Sequence, residues 1–149
     1  MSISKNMNVK GLLGYQLKKT QHALRLHMDE ALRVLELTTP QYAVLAQLEL
    51  EGGISNAELA RRSFITAQTM HGIVSNLEKR GLVQRKSDPK HGRILCMELT
   101  KEGLEIVKQA HQIISNVEES MTYTMSQNNK SLFESLLSEC INNLNASKR

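Results

Sequence analysis

The sequence predicts a mainly α-helical chain with a small β-hairpin, on the strength of three observations. Apolar residues recur at three- and four-residue steps in long stretches near both ends and in the middle of the 149 residues. Aromatic residues make up 3% and tryptophan is absent, so the 40% hydrophobic content must build a small aliphatic core, which suits helices better than a sandwich. Between Leu82 and Leu99 two short strand-like runs flank a turn rich in Asp, Pro and Gly, the signature of a hairpin. The length is that of one domain.

Residues 9–36 read as one long helix. Leu17, Leu24, Met28, Ala31 and Leu35 form its apolar stripe, and Leu13, Tyr15, Leu26 and Leu32 widen it. Thr38-Thr39-Pro40 restarts the chain, with Thr39 as cap and Pro40 at the first helical position. Tyr42, Leu45 and Leu48 carry that helix inward until Glu51-Gly52-Gly53 ends it, and Ile54 is placed to add a short strand beside the hairpin.

Ser55 and Glu58 have the spacing of a capping box, which starts a short helix with Leu59 and Ala60 facing inward. That helix must end before Phe64-Ile65-Thr66, where Phe64 is expected to pack inward. Thr66 then caps a second helix. Met70, Ile73, Val74 and Leu77 give this helix one buried stripe, and Gly81 is placed just past its last turn. Its opposite side carries Gln68, His71, Gly72, Ser75 and Lys79: polar groups, a cation, and a glycine that opens the backbone to another molecule. A helix lying in a major groove requires such a face.

The hairpin follows directly. Lys90, His91 and Arg93 gather at its tip, with Arg85 and Lys86 on the incoming strand. A cationic hairpin after a candidate recognition helix is a winged helix-turn-helix, whose tip can reach phosphates or a minor groove. Thr66 and Thr69, at the start of the recognition helix, complete the candidate DNA contacts. The charge distribution agrees. Residues 55–100 hold eight Lys/Arg against four Asp/Glu, whereas residues 1–54 hold six against five and residues 101–149 five against six. The net charge of +4 is therefore concentrated in the winged segment, as an electrostatic footprint for nucleic acid would be.

Thr100 is expected to cap a helix running to about Met125, with Val107, Ala110, Ile114, Val117 and Met121 at helix–helix spacing. Gln127-Asn128-Asn129 interrupts. A last helix carries Phe133, Leu136, Leu137, Cys140, Ile141 and Leu144 on one side. These apolar seams exceed what a small DNA-binding module needs for cover, which points to an isologous dimer built from the first and the last two helices. The expected organisation is thus a winged helix-turn-helix at residues 38–100, flanked by dimerisation helices at 1–37 and 101–149. A two-fold dimer would present its recognition helices to a palindromic operator in double-stranded DNA.

Several residue runs carry a family resemblance. Glu58-Leu59-Ala60, Thr69-Met70, Leu77-Glu78-Lys79-Arg80-Gly81-Leu82-Val83-Gln84-Arg85, Asp88-Pro89 with Arg93, and Leu99-Thr100 with Gly103, in this order and spacing, resemble the MarR family of bacterial transcription regulators. The resemblance spans the whole chain. Most members have an acidic residue where this chain has His91 and a second arginine where it has Gly92, while a subset shares the His-Gly-Arg wing and the Gln-Thr-Met recognition helix. The resemblance implies a homodimeric regulator, commonly a repressor. It also implies a small aromatic or phenolic ligand held in a crevice between the dimerisation helices and the winged module, where Tyr15, His22, Leu26 and Tyr42 are the candidate lining residues. Some members sense oxidants through a cysteine near the start of the first helix, and Gly11-Leu12-Leu13-Gly14-Tyr15 offers none.

Other functions find little support. No nucleophile–base pair, paired-carboxylate cleft or phosphate-binding glycine loop is visible, so an enzyme is not expected. The five histidines show neither i, i+4 pairing nor a Cys-x-x-Cys companion, so neither a metal nor a cofactor is expected. Cys96 and Cys140 are expected to be reduced and to act as small buried hydrophobes. With neither a signal-like start nor a membrane-length apolar run, the expected location is cytoplasmic. The competing reading is a winged helix that binds protein without operator specificity.

Overall fold

The computed structural model describes residues 11–147, so Val9 and Lys10 of the expected first helix lie outside the described residues. The elements are α1 (Leu13–Leu32), a 3-10 turn (Arg33–Leu35), α2 (Thr39–Leu50), β1 (Ile54–Ser55), α3 (Asn56–Arg62), α4 (Ala67–Lys79), β2 (Val83–Ser87), β3 (Leu95–Leu99), α5 (Lys101–Met121) and α6 (Gln127–Ala146). They fall into two compact units that divide after Val117.

In the first unit the strands form an antiparallel sheet of order β1-β3-β2. Ile54 pairs with Met97, and Arg85 pairs with Met97 from the other side, so the short strand expected at Ile54 closes one edge of the hairpin. The core is aliphatic. Leu45 of α2, Leu59 of α3, Met70 and Leu77 of α4, and Val107 of α5 are at 0% exposure, and Val83 and Met97 bring in the sheet. Each such side chain contributes about 1.5–3 kcal/mol by leaving water. The first half of the α5 seam (Val107, Ala110, Ile114) is therefore spent on this core. On α1 only Leu32 is buried.

Caps fix where the helices begin. Thr38, not Thr39, caps α2. Its Oγ1 accepts from Gln41 N at 3.3 Å, and Gln41 Oε1 accepts from Thr38 N at 3.0 Å, so the capping box is complete one residue earlier than expected. Thr39 instead donates its N–H and hydroxyl to Asp29 Oδ1 of α1, at 2.8 and 2.6 Å. At α3 only half of the expected box forms. Ser55 Oγ accepts from Glu58 N, but the Glu58 carboxylate is taken by Arg61 and Arg62.

Three segments end in one backbone arrangement, a left-handed residue followed by one whose N–H bonds five positions back. Leu37 N donates to Leu32 O, Ile65 N to Ala60 O, and Leu82 N to Leu77 O. The left-handed residues are Glu36 (φ 54°), Phe64 (φ 59°) and Gly81 (φ 74°). This corrects the expectation that Phe64 packs inward: the left-handed turn aims Ile65 at the core and leaves Phe64 95% exposed. Arg80 ties the first of these ends to α4, its guanidinium donating to Glu36 O at 2.6 Å and Leu35 O at 3.1 Å. The first helix accordingly stops at Leu32 and does not run on to Glu36.

The entry to α5 explains two of the sequence signatures together. Thr100 N donates to Leu82 O, Thr100 Oγ1 donates to Gly81 O at 2.6 Å, and Gly103 N donates to Thr100 Oγ1 at 3.0 Å. A Cβ on Gly103 would lie 2.0 Å from Leu82 O, so only glycine lets α5 pass this close to the chain entering the hairpin.

The second unit holds the last turn of α5 and α6. α5 ends at Met121, short of Met125, and Gln127-Asn128-Asn129 opens α6 rather than interrupting the chain, because Ser126 Oγ caps it by accepting from Asn129 N at 3.1 Å. No residue of α6 is buried. Cys140 is thus exposed, contrary to expectation, while Cys96, on β3 of the hairpin, is buried as expected. Among the described residues no helix is long and apolar enough to cross a membrane.

Candidate nucleic-acid interface

α4 is held by its buried stripe, Met70, Val74 and Leu77, and by Thr66, whose Oγ1 accepts from Thr69 N at 3.1 Å. With that face fixed inward, Gln68, His71, Gly72 and Lys79 are exposed on the other. A Cβ added at Gly72 would meet nothing within 4 Å, so the backbone there is open.

The hairpin beside α4 is shaped by Asp88. Its Oδ1 accepts from Lys90 N at 2.7 Å and His91 N at 3.3 Å, and Ile94 N donates to His91 O at 2.8 Å. These backbone bonds, that from Lys90 above all, hold the Asp88 carboxyl below its ordinary range. The tip thus presents Lys90, His91 and Arg93 to solvent. Burial pushes the Cys96 thiol upward, with the nearby Asp88 charge adding to the effect, so Cys96 is a packing group rather than a reactive one.

The twelve candidate contacts separate into two groups. Gln68, His71, Gly72, Lys79, Lys90, His91 and Arg93 point outward. The others are engaged within the fold. Thr66 and Thr69 bond to each other at the cap, with Oγ1 atoms 2.9 Å apart. Arg85 Nη2 donates to Ser75 Oγ at 2.9 Å while its Nε lies 3.4 Å from Glu78 Oε2, tying the hairpin to α4. Lys86 pairs with Glu98 across the strands at 2.9 Å. A groove of about 490 Å³ lies between α4 and the hairpin and brings His71, Arg85 and Arg93 together over Ile94, Leu95 and Met97. Asn56, also in its wall, donates Nδ2 to Ala67 O at 3.0 Å and so joins α3 to the start of α4. The groove was not legible in the sequence, because Asn56 and Leu95 become its walls only when α3 and β3 meet.

The candidate ligand residues are less assembled. Tyr15, His22 and Leu26 share one stripe of α1, with Leu26 56% exposed. Tyr42 is on α2, where its hydroxyl lies 2.7 Å from His111 Nδ1 of α5 and the rings meet edge to face at 82°. His111 Nε2 in turn lies 2.8 Å from Glu49 Oε1. The sequence did not single out His111 or Glu49. The one local signal was Glu49 standing seven positions after Tyr42, on the same face of α2. Among the described residues no group of three His, Cys, Asp or Glu side chains could hold a metal ion.

Comparison with known proteins agrees with this fold. A MarR family model matches residues 35–94. The HTH-type transcriptional repressor Rv2887 of Mycobacterium tuberculosis is 36% identical over 102 residues, which is 68% of this chain and 73% of the relative. The structure of the M. tuberculosis MarR family protein Rv2887 in complex with salicylic acid superposes with a TM-score of 0.76 at 29% identity, covering 90% of this chain and 99% of that one. The transcriptional repressor CouR bound to a 23-mer DNA duplex superposes with a TM-score of 0.81 at 25% identity, covering 91% and 99%. The chain belongs to the MarR family of winged-helix transcription regulators.

Proposed function

We propose that the protein is a cytoplasmic repressor that binds a palindromic operator as a homodimer. The observation that carries this reading is the exposed polar and cationic face of α4 beside the exposed wing tip: Gln68, His71, Gly72 and Lys79 for the groove, and Lys90, His91 and Arg93 for phosphates or the minor groove. Ser75 and Arg85 set the angle between these two elements, and Thr66 and Thr69 hold the start of α4. Repressor Rv2887 and the DNA-bound repressor CouR support the same reading.

In this reading residues 38–100 form the reading head and residues 1–37 and 101–149 the dimer arms. Leu13 and Leu17 on α1 and Leu132, Ile141 and Leu144 on α6 are more than half exposed in the single chain, and a second copy would cover them. Two heads about 34–36 Å apart would then read successive major grooves. The relative Rv2887 is seen with salicylic acid. A small aromatic acid or phenol, held near Tyr15, His22, Leu26 and Tyr42, would release DNA by favouring a different separation of the heads.

The test is titration of the purified protein against DNA from its own upstream region, at several salt concentrations and with competitor DNA. Competitor-resistant binding by a dimer with a protected palindrome is expected. Binding that competitor abolishes would leave only charge attraction and overturn the reading.

A further inference from the structure

Phe64 combines two unfavourable features that nothing within the described residues offsets. Its φ of 59° is left-handed, where a Cβ is disfavoured, and its ring is 95% exposed. The equivalent position at the end of α4 is Gly81, and at the end of the 3-10 turn it is Glu36, whose carboxylate is at home in water. Phe64 alone of the three holds a large apolar ring in solvent. The turn fixes where the ring stands. Phe64 N donates to Arg61 O at 3.4 Å and Ile65 N to Ala60 O at 3.1 Å, while the half-buried Ile65 takes the inward direction.

What would cover the ring follows from its position. Two residues on is Thr66, the cap of α4, followed by the exposed Gln68 and Thr69. The first residues of a recognition helix are those that reach base edges, so the turn just before them runs along the rim of the major groove. That rim offers apolar surface as deoxyribose carbons and thymine methyl groups. The ring is therefore continuous with the surface that the proposed function assigns to DNA.

We propose that Phe64 is a DNA contact, its ring packing on deoxyribose or thymine-methyl surface at the groove edge beside the start of α4. The inference rests on the operator-binding reading above. The contact adds affinity without a cation, so it is independent of counterion release.

The experiment compares full-length wild type, Phe64→Gly and Phe64→Leu on the upstream DNA fragment, together with their thermal midpoints. Glycine suits the left-handed turn, so Phe64→Gly is expected to keep or raise its midpoint while binding about tenfold more weakly, a loss in the range expected for exposing an aromatic side chain. The slope of log affinity against log salt stays unchanged, and Phe64→Leu recovers part of the loss. Uracil in place of thymine separates the two surfaces: a loss seen in wild type but absent in Phe64→Gly assigns the methyl group, and no loss assigns deoxyribose. Equal affinity of wild type and Phe64→Gly overturns the inference alone, and so does a weakened variant with a flattened salt slope, because phosphate contacts would then have moved. A wild type without competitor-resistant binding overturns the operator-binding reading itself, and this inference with it.

Discussion

Phe64 and Gly81 hold the same backbone conformation at the ends of consecutive helices, with φ of 59° and 74°. The next residue, Ile65 or Leu82, donates five positions back in each case. At Gly81 this conformation costs nothing, and its carbonyl is capped by Thr100 Oγ1 at 2.6 Å. At Phe64 it costs about 1 kcal/mol. The first of these turns leads into the recognition helix and the second leads out of it to the hairpin, so the two together set the length and position of α4.

Gly103→Ala is expected to destabilise the fold by at least about 1–3 kcal/mol, the usual cost of overpacking a tight site. The new Cβ would stand 2.0 Å from the Leu82 carbonyl oxygen, and backbone rather than a pliable side chain would have to move. Urea unfolding measures this, and a midpoint equal to wild type would show that α5 can withdraw freely.

Ser75 and Arg85 are expected to act as a pair. Arg85 Nη2 donates to Ser75 Oγ at 2.9 Å, so Ser75→Ala and Arg85→Ala should be non-additive, with a coupling of about 0.5–1.5 kcal/mol in a double-mutant cycle of unfolding. Additive losses would mean that the two residues act independently.

Arg93→Ala is expected to weaken binding to all DNA sequences and to reduce the salt slope by about one unit, as for the loss of one phosphate contact. Arg93 is exposed at the wing, one residue before Ile94, whose N–H is bonded to His91 O. Binding measured at four or more salt concentrations checks this, and an unaltered slope would remove Arg93 from the interface.

Acid should weaken α3 through Glu58. Hydrogen bonds from Arg61 and then Arg62 lower its pKa from 4.5 to about 2. Because the folded value is the lower one, the stabilisation is fully present above pH 4.5 and is lost as the pH falls toward 2. Urea midpoints between these pH values should therefore fall less steeply for Glu58→Gln than for wild type. Parallel slopes would show that the carboxylate has the same pKa folded and unfolded.

The sequence by itself determined the order of the elements and the face that α4 turns outward. These are local properties: the spacing of Met70, Val74 and Leu77, the Thr66 cap, and the glycine at 81 each act within a few residues of chain. Tertiary structure decided which polar groups remain available to another molecule. Arg85 and Lys86 read as free cations in the sequence, yet Ser75, Glu78 and Glu98 occupy them because the hairpin folds beside α4 and onto its own partner strand. His111, 69 positions from Tyr42, joins it only because α2 and α5 share a core. Local pattern chooses Thr38 or Thr39 as the cap only ambiguously, and the contact that settles it is Asp29 of α1, which takes both Thr39 donors. Phe64 shows the same limit from the other direction. Hydrophobicity places it inside, whereas the turn that aims Ile65 at the core turns the phenyl ring outward, because one left-handed residue reverses which of two neighbouring side chains faces the core.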